Sequence, residues 1–196
     1  VIAADPKNAR AYSTRGAAYH LQGAYDKATA DQSKALELDP SSQSTRVNLA
    51  LAEYRQGKPQ NAFKQFEEAI KLAPKDPAVY YNRAIAYFSE QKYDLAIKDI
   101  TQADELGLRD PDAEYLAAVA YYNLKQEPKT QAALAHAIEI RTNHVRSRLF
   151  RARLAMVARN WKGAVQDLDV VVDTDPGNTL AWKLRGHCYM NLGQNQ

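Results

Sequence analysis

The chain is poor in the residues that usually carry chemistry. Cys188 is the single cysteine in 196 residues. That excludes an internal disulfide and any multi-cysteine metal site within the chain, and the residue reads as a small apolar filler. The four histidines, His20, His136, His144 and His187, form no His-Glu-x-x-His pair and have no convergent acids at ligand spacing. No metal and no cofactor is therefore expected. The eight glycines are scattered over turns and helix crossings instead of gathering in a phosphate-binding loop. Acid pairs such as Asp110 and Asp112 stand at helix starts, where carboxylates complement the dipole. No nucleophile–base pair stands out, so the chain is expected not to be an enzyme. Excess charge is scarce as well. A net charge of +3 is too small to argue by itself for nucleic acid or an anionic membrane. No apolar run approaches the roughly 18 residues of a membrane-spanning helix, and no signal peptide is visible. No membrane insertion is expected. The compartment stays open between cytoplasm, periplasm and a membrane-tethered parent protein.

What the chain does have is a fixed period. With Ala9 as position 1, the same pattern returns every 34 residues without an insertion. Position 8 is Gly16, Ala50, Ala84, Ala118, Ala152 and Gly186. Position 20 is Ala28, Ala62, Ala96, Thr130 and Ala164, and position 27 is Ala35, Ala69, Ala103, Ala137 and Val171. Position 11 is aromatic in Tyr19, Tyr87, Tyr121 and Tyr189, and position 32 is proline in Pro6, Pro40, Pro74 and Pro176. Each unit reads as two helices, positions 1–14 and about 17–31, joined by a short polar turn. Pro59 and Pro128 start second helices and Pro77 and Pro111 start first helices, where the missing amide hydrogen costs nothing. Glycine or alanine at positions 8 and 20 lets the two axes approach to the low end of the usual range of about 8–10 Å. Phe66, Ile100, Leu134 and Leu168 fill the space around the crossing. One unit cannot bury its own apolar faces, so stability must come from stacking on neighbours.

This pattern resembles the tetratricopeptide repeat family over the whole chain. The resemblance implies an all-α fold, a right-handed superhelical solenoid of stacked antiparallel helix pairs, with first helices lining a concave wall. The expected organisation is a single array over 1–196. Residues 1–8 are read as the tail of a preceding second helix, 9–42, 43–76, 77–110, 111–144 and 145–178 as full units, and 179–196 as a lone first helix. The chain is read as an excerpt of a longer protein, and its uncovered ends make self-association possible.

The resemblance also implies that positions 2, 5, 6, 9, 12 and 13 face the groove. Read down the stack, these give Val47, Asn48, Leu51 and Tyr54, then Tyr81, Asn82, Ile85 and Phe88. Tyr115, Val119 and Tyr122 follow, then Leu149, Arg153 and Met156. Positions 5, 9 and 12 share one helical stripe, so the groove has an apolar, aromatic middle of the kind that marks a binding site. The competing expectation is that some of these side chains pack on the next unit. Arg146, Arg153, Lys183 and His187 form a basic end, in a region also crowded by Arg141, Arg148, Arg151 and Arg159. A partner with apolar side chains followed by acids would match. The expected function is a non-catalytic scaffold that holds a peptide or helix of another protein in this groove. An architectural spacer is the alternative, and single-stranded RNA is not expected to bind. The lysine–asparagine pattern that clamps chaperone C-termini in this family is missing in every frame.

A second pattern lies inside the repeat. Arginine at position 7 and aspartate at position 23 occur together in Arg15/Asp31, Arg83/Asp99 and Arg151/Asp167. They are lost together in Leu49/Gln65 and Ala117/Ala133. A lone buried charge is costly, so the joint loss predicts a bridge between the two helices of each odd unit.

Overall fold

The computed structural model describes residues 2–193. Among these residues there are eleven α-helices and no strand. First helices α1 (Ala9–Leu21), α3 (Gln43–Arg55), α5 (Pro77–Ser89), α7 (Pro111–Asn123), α9 (Val145–Val157) and α11 (Thr179–Asn191) alternate along the chain with second helices. These are α2 (Tyr25–Leu38), α4 (Pro59–Leu72), α6 (Tyr93–Glu105), α8 (Glu127–Ile140) and α10 (Trp161–Thr174). Each second helix packs on the first helix of its own unit. The chain divides into two compact bodies, Val1–Leu108 with α1 to α6 and Arg109–Gln196 with α7 to α11. Each is described by itself below.

One expected element is corrected. Residues 2–7 form turns and not the tail of a helix. Pro6 has no amide hydrogen to donate and disfavours helix in the residue before it. Val1 of that expected tail lies outside the described residues, as do Gln194 to Gln196 of the last partial unit.

The helix ends follow from local chemistry. The residue before every first helix except α9 is a side-chain cap. Asn8, Ser42, Asp76, Asp110 and Asn178 accept from the amides of Ala11, Thr45, Ala78, Asp112 and Ala181. After each first helix the backbone turns left-handed at position 15. Glycine occupies that place at Gly23, Gly57 and Gly193, but Gln91, Lys125 and Arg159 adopt the same positive φ of 56–58° with a side chain. A side chain there is strained by contact of Cβ with the backbone. Changing Gln91, Lys125 and Arg159 to glycine is therefore expected to raise stability by about 0.5–1 kcal/mol each. Gly57→Ala should lower it. Urea midpoints measure both, and a uniform loss on the glycine changes would contradict the strain.

The small positions do what the crossing needs. Ala28, Ala62, Ala96, Thr130 and Ala164 have no accessible surface, nor do Ala50, Ala84, Ala118 and Ala152 opposite them. Phe66, Leu134 and Leu168 are fully enclosed beside them. The same register holds Gln32 in the first unit, and there Gly16 replaces alanine. A Cβ on Gly16 would come within 2.7 Å of the Gln32 amide nitrogen, which donates to the Ser13 carbonyl at 3.0 Å. In the first body Val47, Ala50, Ala62, Phe66, Ala69, Val79 and Ala86 make one core cluster. In the second, Ala152, Ala164, Leu168, Val171, Val172, Ala181 and Cys188 make another. Burial pushes the Cys188 thiol up, as suits an inert filler.

All three arginine–aspartate pairs form, each as a two-pronged bridge. Arg15 meets Asp31 at 2.6 and 2.7 Å, Arg83 meets Asp99 at 2.7 Å twice, and Arg151 meets Asp167 at 2.7 Å twice. For Arg151, the Asp167 hydrogen bonds outweigh burial and hold the guanidinium above its ordinary value. Asp167 takes a further bond from Arg148 at 2.7 Å.

Candidate binding faces of the first helices

In the first body the candidate residues lie on α3 and α5. Val47 does not reach the surface as expected. It is only 8% exposed and belongs to the core. The cause is tertiary: α3 packs against both α1 and α5, and Val47 shares one core cluster with Val79 and Ala86 of α5. Leu51 and Tyr54 are half-buried against the same core, and the Tyr54 hydroxyl donates to Glu90 at 3.2 Å. Asn48, Tyr81 and Asn82 are also half-buried. Asn82 donates its amide to the Ala78 carbonyl at 2.8 Å. Ile85 is 38% exposed. Phe88 is half-buried, edge-on to Tyr93 with centroids 5.4 Å apart. The face thus offers apolar atoms on a base that its own neighbours hold in place.

In the second body Tyr115, Val119, Tyr122 and Asn123 of α7 and Arg146, Leu149, Phe150 and Arg153 of α9 line a pocket of about 390 Å3. Phe150 stands edge-on to Tyr122 at 5.3 Å and to Tyr115 at 6.2 Å. The Arg146 guanidinium lies 4.8 Å from the Tyr115 ring centre and pairs with Asp112 at 2.9 Å. Arg153 is exposed and has no ion pair or hydrogen bond among the described residues. Leu149 and Met156 are half-buried against the core. Lys183 and His187 are exposed on α11, with His187 edge-on to Trp161 at 5.8 Å.

The basic end is weaker than the arginine count suggests. Arg148 and Arg151 are both committed to Asp167, and Arg146 to Asp112. Phe150 and Asn123 were missed by sequence reasoning although a signal existed. They occupy positions 6 and 13 of their units, which the repeat pattern assigns to the groove.

His144 breaks the capping rule at the start of α9. Its Nδ1 pairs with Ser147 Oγ at 2.8 Å, and its Nε2 lies 3.4 Å from Asp112. The set looks like a Ser-His-Asp constellation, but Ser147 has no accessible surface, so no substrate reaches its oxygen. Burial pushes His144 below its ordinary value. Asp112 opposes that shift, and Arg141 and Arg146 add to it. The unfolded chain therefore binds the proton more readily than the folded one. Stability is expected to be full above about pH 6.5 and to fall as the pH drops from there toward the lower folded value. His20 is shifted the same way, by burial and then Arg55. Thermal melts at pH 7.5 and 5.5 should differ less in His144→Gln than in the parent, and an unchanged difference would remove His144 as a cause.

Two family models, both for the tetratricopeptide repeat, match residues 7–75 and 47–107. Together they span residues 7–107, just over half of the 196. The chain belongs to the tetratricopeptide repeat family, and its fold is an all-α repeat superhelix of that class. Repeats of this class generally mediate protein–protein interaction and are typically non-catalytic scaffolds. No curated protein matches the sequence. Among solved structures the chain is similar to pilF of Pseudomonas aeruginosa, with TM-score 0.81, 20% identity, and coverage of 95% of this chain and 85% of that one. It is similar to YrrB, described as a TPR protein with an unusual peptide-binding site, with TM-score 0.69, 20% identity, and coverage of 93% and 94%. It is also similar to MamA from Desulfovibrio magneticus RS-1, with TM-score 0.74, 17% identity, and coverage of 87% and 97%. At these identities the likeness concerns the fold. No helix among the described residues is long and apolar enough to cross a membrane.

Proposed function

We propose that the first-helix faces hold an extended or helical segment of another protein, with Tyr81, Ile85 and Phe88 as anchors in the first body and Tyr115, Val119 and Tyr122 in the second. The observation that carries this reading is the exposure of Ile85 and Tyr122, 38% and 49%, next to rings fixed by their neighbours. Large apolar side chains left in water on a rigid base are what a partner covers with most gain. The pre-formed helix pairs also lower the ordering cost of binding. YrrB, which has the same fold, is described as carrying a peptide-binding site. A photo-cross-linker placed at Ile85 or at Tyr122 is expected to trap a partner from the parent cell, whereas one at Leu95, an exposed residue of the second helix α6, is not. Cross-links from Leu95 alone would overturn the reading.

A further inference from the structure

We propose that the pocket between α7 and α9 selects a partner segment in which a large apolar side chain sits beside a carboxylate. This rests on the protein-binding reading above and adds a chemical preference to it. The floor is apolar: Tyr115, Tyr122 and Phe150 meet edge to face over Val119 and Leu149. A volume of about 390 Å3 accepts one aromatic or leucine-sized side chain with part of its backbone. The rim is basic on one side and has no acid among its eight lining residues. The two arginines differ. Arg146 is held by Asp112 and laid over Tyr115, so its charge is already matched. Arg153 is unmatched, exposed and on the same helix as Phe150. A guanidinium fork beside an apolar floor favours a carboxylate, because the charge-assisted bond forms where water is partly excluded. RNA bases could stack on the same rings, but a phosphate backbone needs a track of cations. Here Arg148 and Arg151 are tied to Asp167 and Arg146 to Asp112. Arg153 alone suits a single carboxylate.

The test is an array of short random peptides probed with the full chain. Enriched peptides are expected to place Phe, Tyr, Trp or Leu next to Asp or Glu. Arg153→Gln, at an exposed site, should weaken the best acidic peptide at least about tenfold. It should leave the amide analogue of that peptide unchanged, with the helical circular dichroism intact. Phe150→Ala should weaken both peptides alike. Enrichment without acids, or an Arg153→Gln affinity equal to the parent's, would overturn the proposal. If the peptides respond to Phe88→Ala but to neither Phe150→Ala nor Arg153→Gln, the pocket preference fails and the broader protein-binding reading stands. If no peptide binds to either face, both fail. Capture of a short uridine-rich RNA that Arg153→Gln abolishes would overturn the proposal in favour of nucleic acid.

Discussion

Asp167→Ala is expected to destabilise the second body by about 3–5 kcal/mol, the range for removing one partner of a buried charge pair. Asp167 accepts from Arg148 once and from Arg151 twice, all at 2.7 Å. The two arginine side chains are 14% and 33% exposed. Without the carboxylate, two part-buried guanidinium groups lose their shared counter-charge. Asp99→Ala should cost less, because only Arg83 is left behind, although that side chain is 16% exposed. Asp31→Ala should cost least, because Arg15 is 45% exposed and water takes over the lost bonds. Urea titration of the three variants gives the order directly. Equal midpoints, or the reverse order, would refute the account. Removing both partners is a different experiment. Arg83→Leu with Asp99→Ala leaves no orphan charge, as in the second unit, where Leu49 and Gln65 stand at the two positions. It should recover much of the Asp99→Ala loss. The losses belong to folding, so partner affinity of the still-folded fraction should change little.

Phe88→Ala combined with Tyr122→Ala should weaken partner binding by about a thousandfold, taking roughly 2 kcal/mol for each ring of a binding hot spot. The structural cost is much smaller. Tyr122 is half in water and touches Phe150 edge-on, so its removal uncovers little core. Phe88 gives up its edge contact with Tyr93, worth about 0.5–1.5 kcal/mol, and part of its burial. Helical circular dichroism should therefore match the parent while the binding isotherm collapses. Unchanged affinity with intact helices would eliminate the first-helix faces as the contact surface.

Much of this fold was legible in the chain because its causes are local or strictly periodic. Helix starts are written in Ser42, Asp76 and Asp110 and in the prolines that follow Asp76 and Asp110, and the crossings in tiny residues at a fixed spacing. The arginine–aspartate bridges were legible for another reason. Two charges that appear and vanish together must neutralise each other in space, and the period stated which helices carry them. The candidate site was legible as a set of positions but not as a surface. Val47 and Ile85 both sit on the groove stripe, yet Val47 is in the core and Ile85 in water. Arg148 and Arg153 are both arginines of α9, yet one is bound to Asp167 and the other has no ion-pair partner among the described residues.

By itself, then, the sequence determined where the helices begin and end, which helices pair, and how closely they cross. Those outcomes depend on backbone hydrogen bonding, capping and side-chain size within one unit. Only the tertiary structure decided which stripe residues stay exposed, which arginines remain free, and that Phe150 completes the aromatic floor beside Tyr115 and Tyr122. Burial and charge pairing depend on what the neighbouring unit places against a side chain. That neighbour is about one repeat away in sequence, and its shape and charge vary while the period does not.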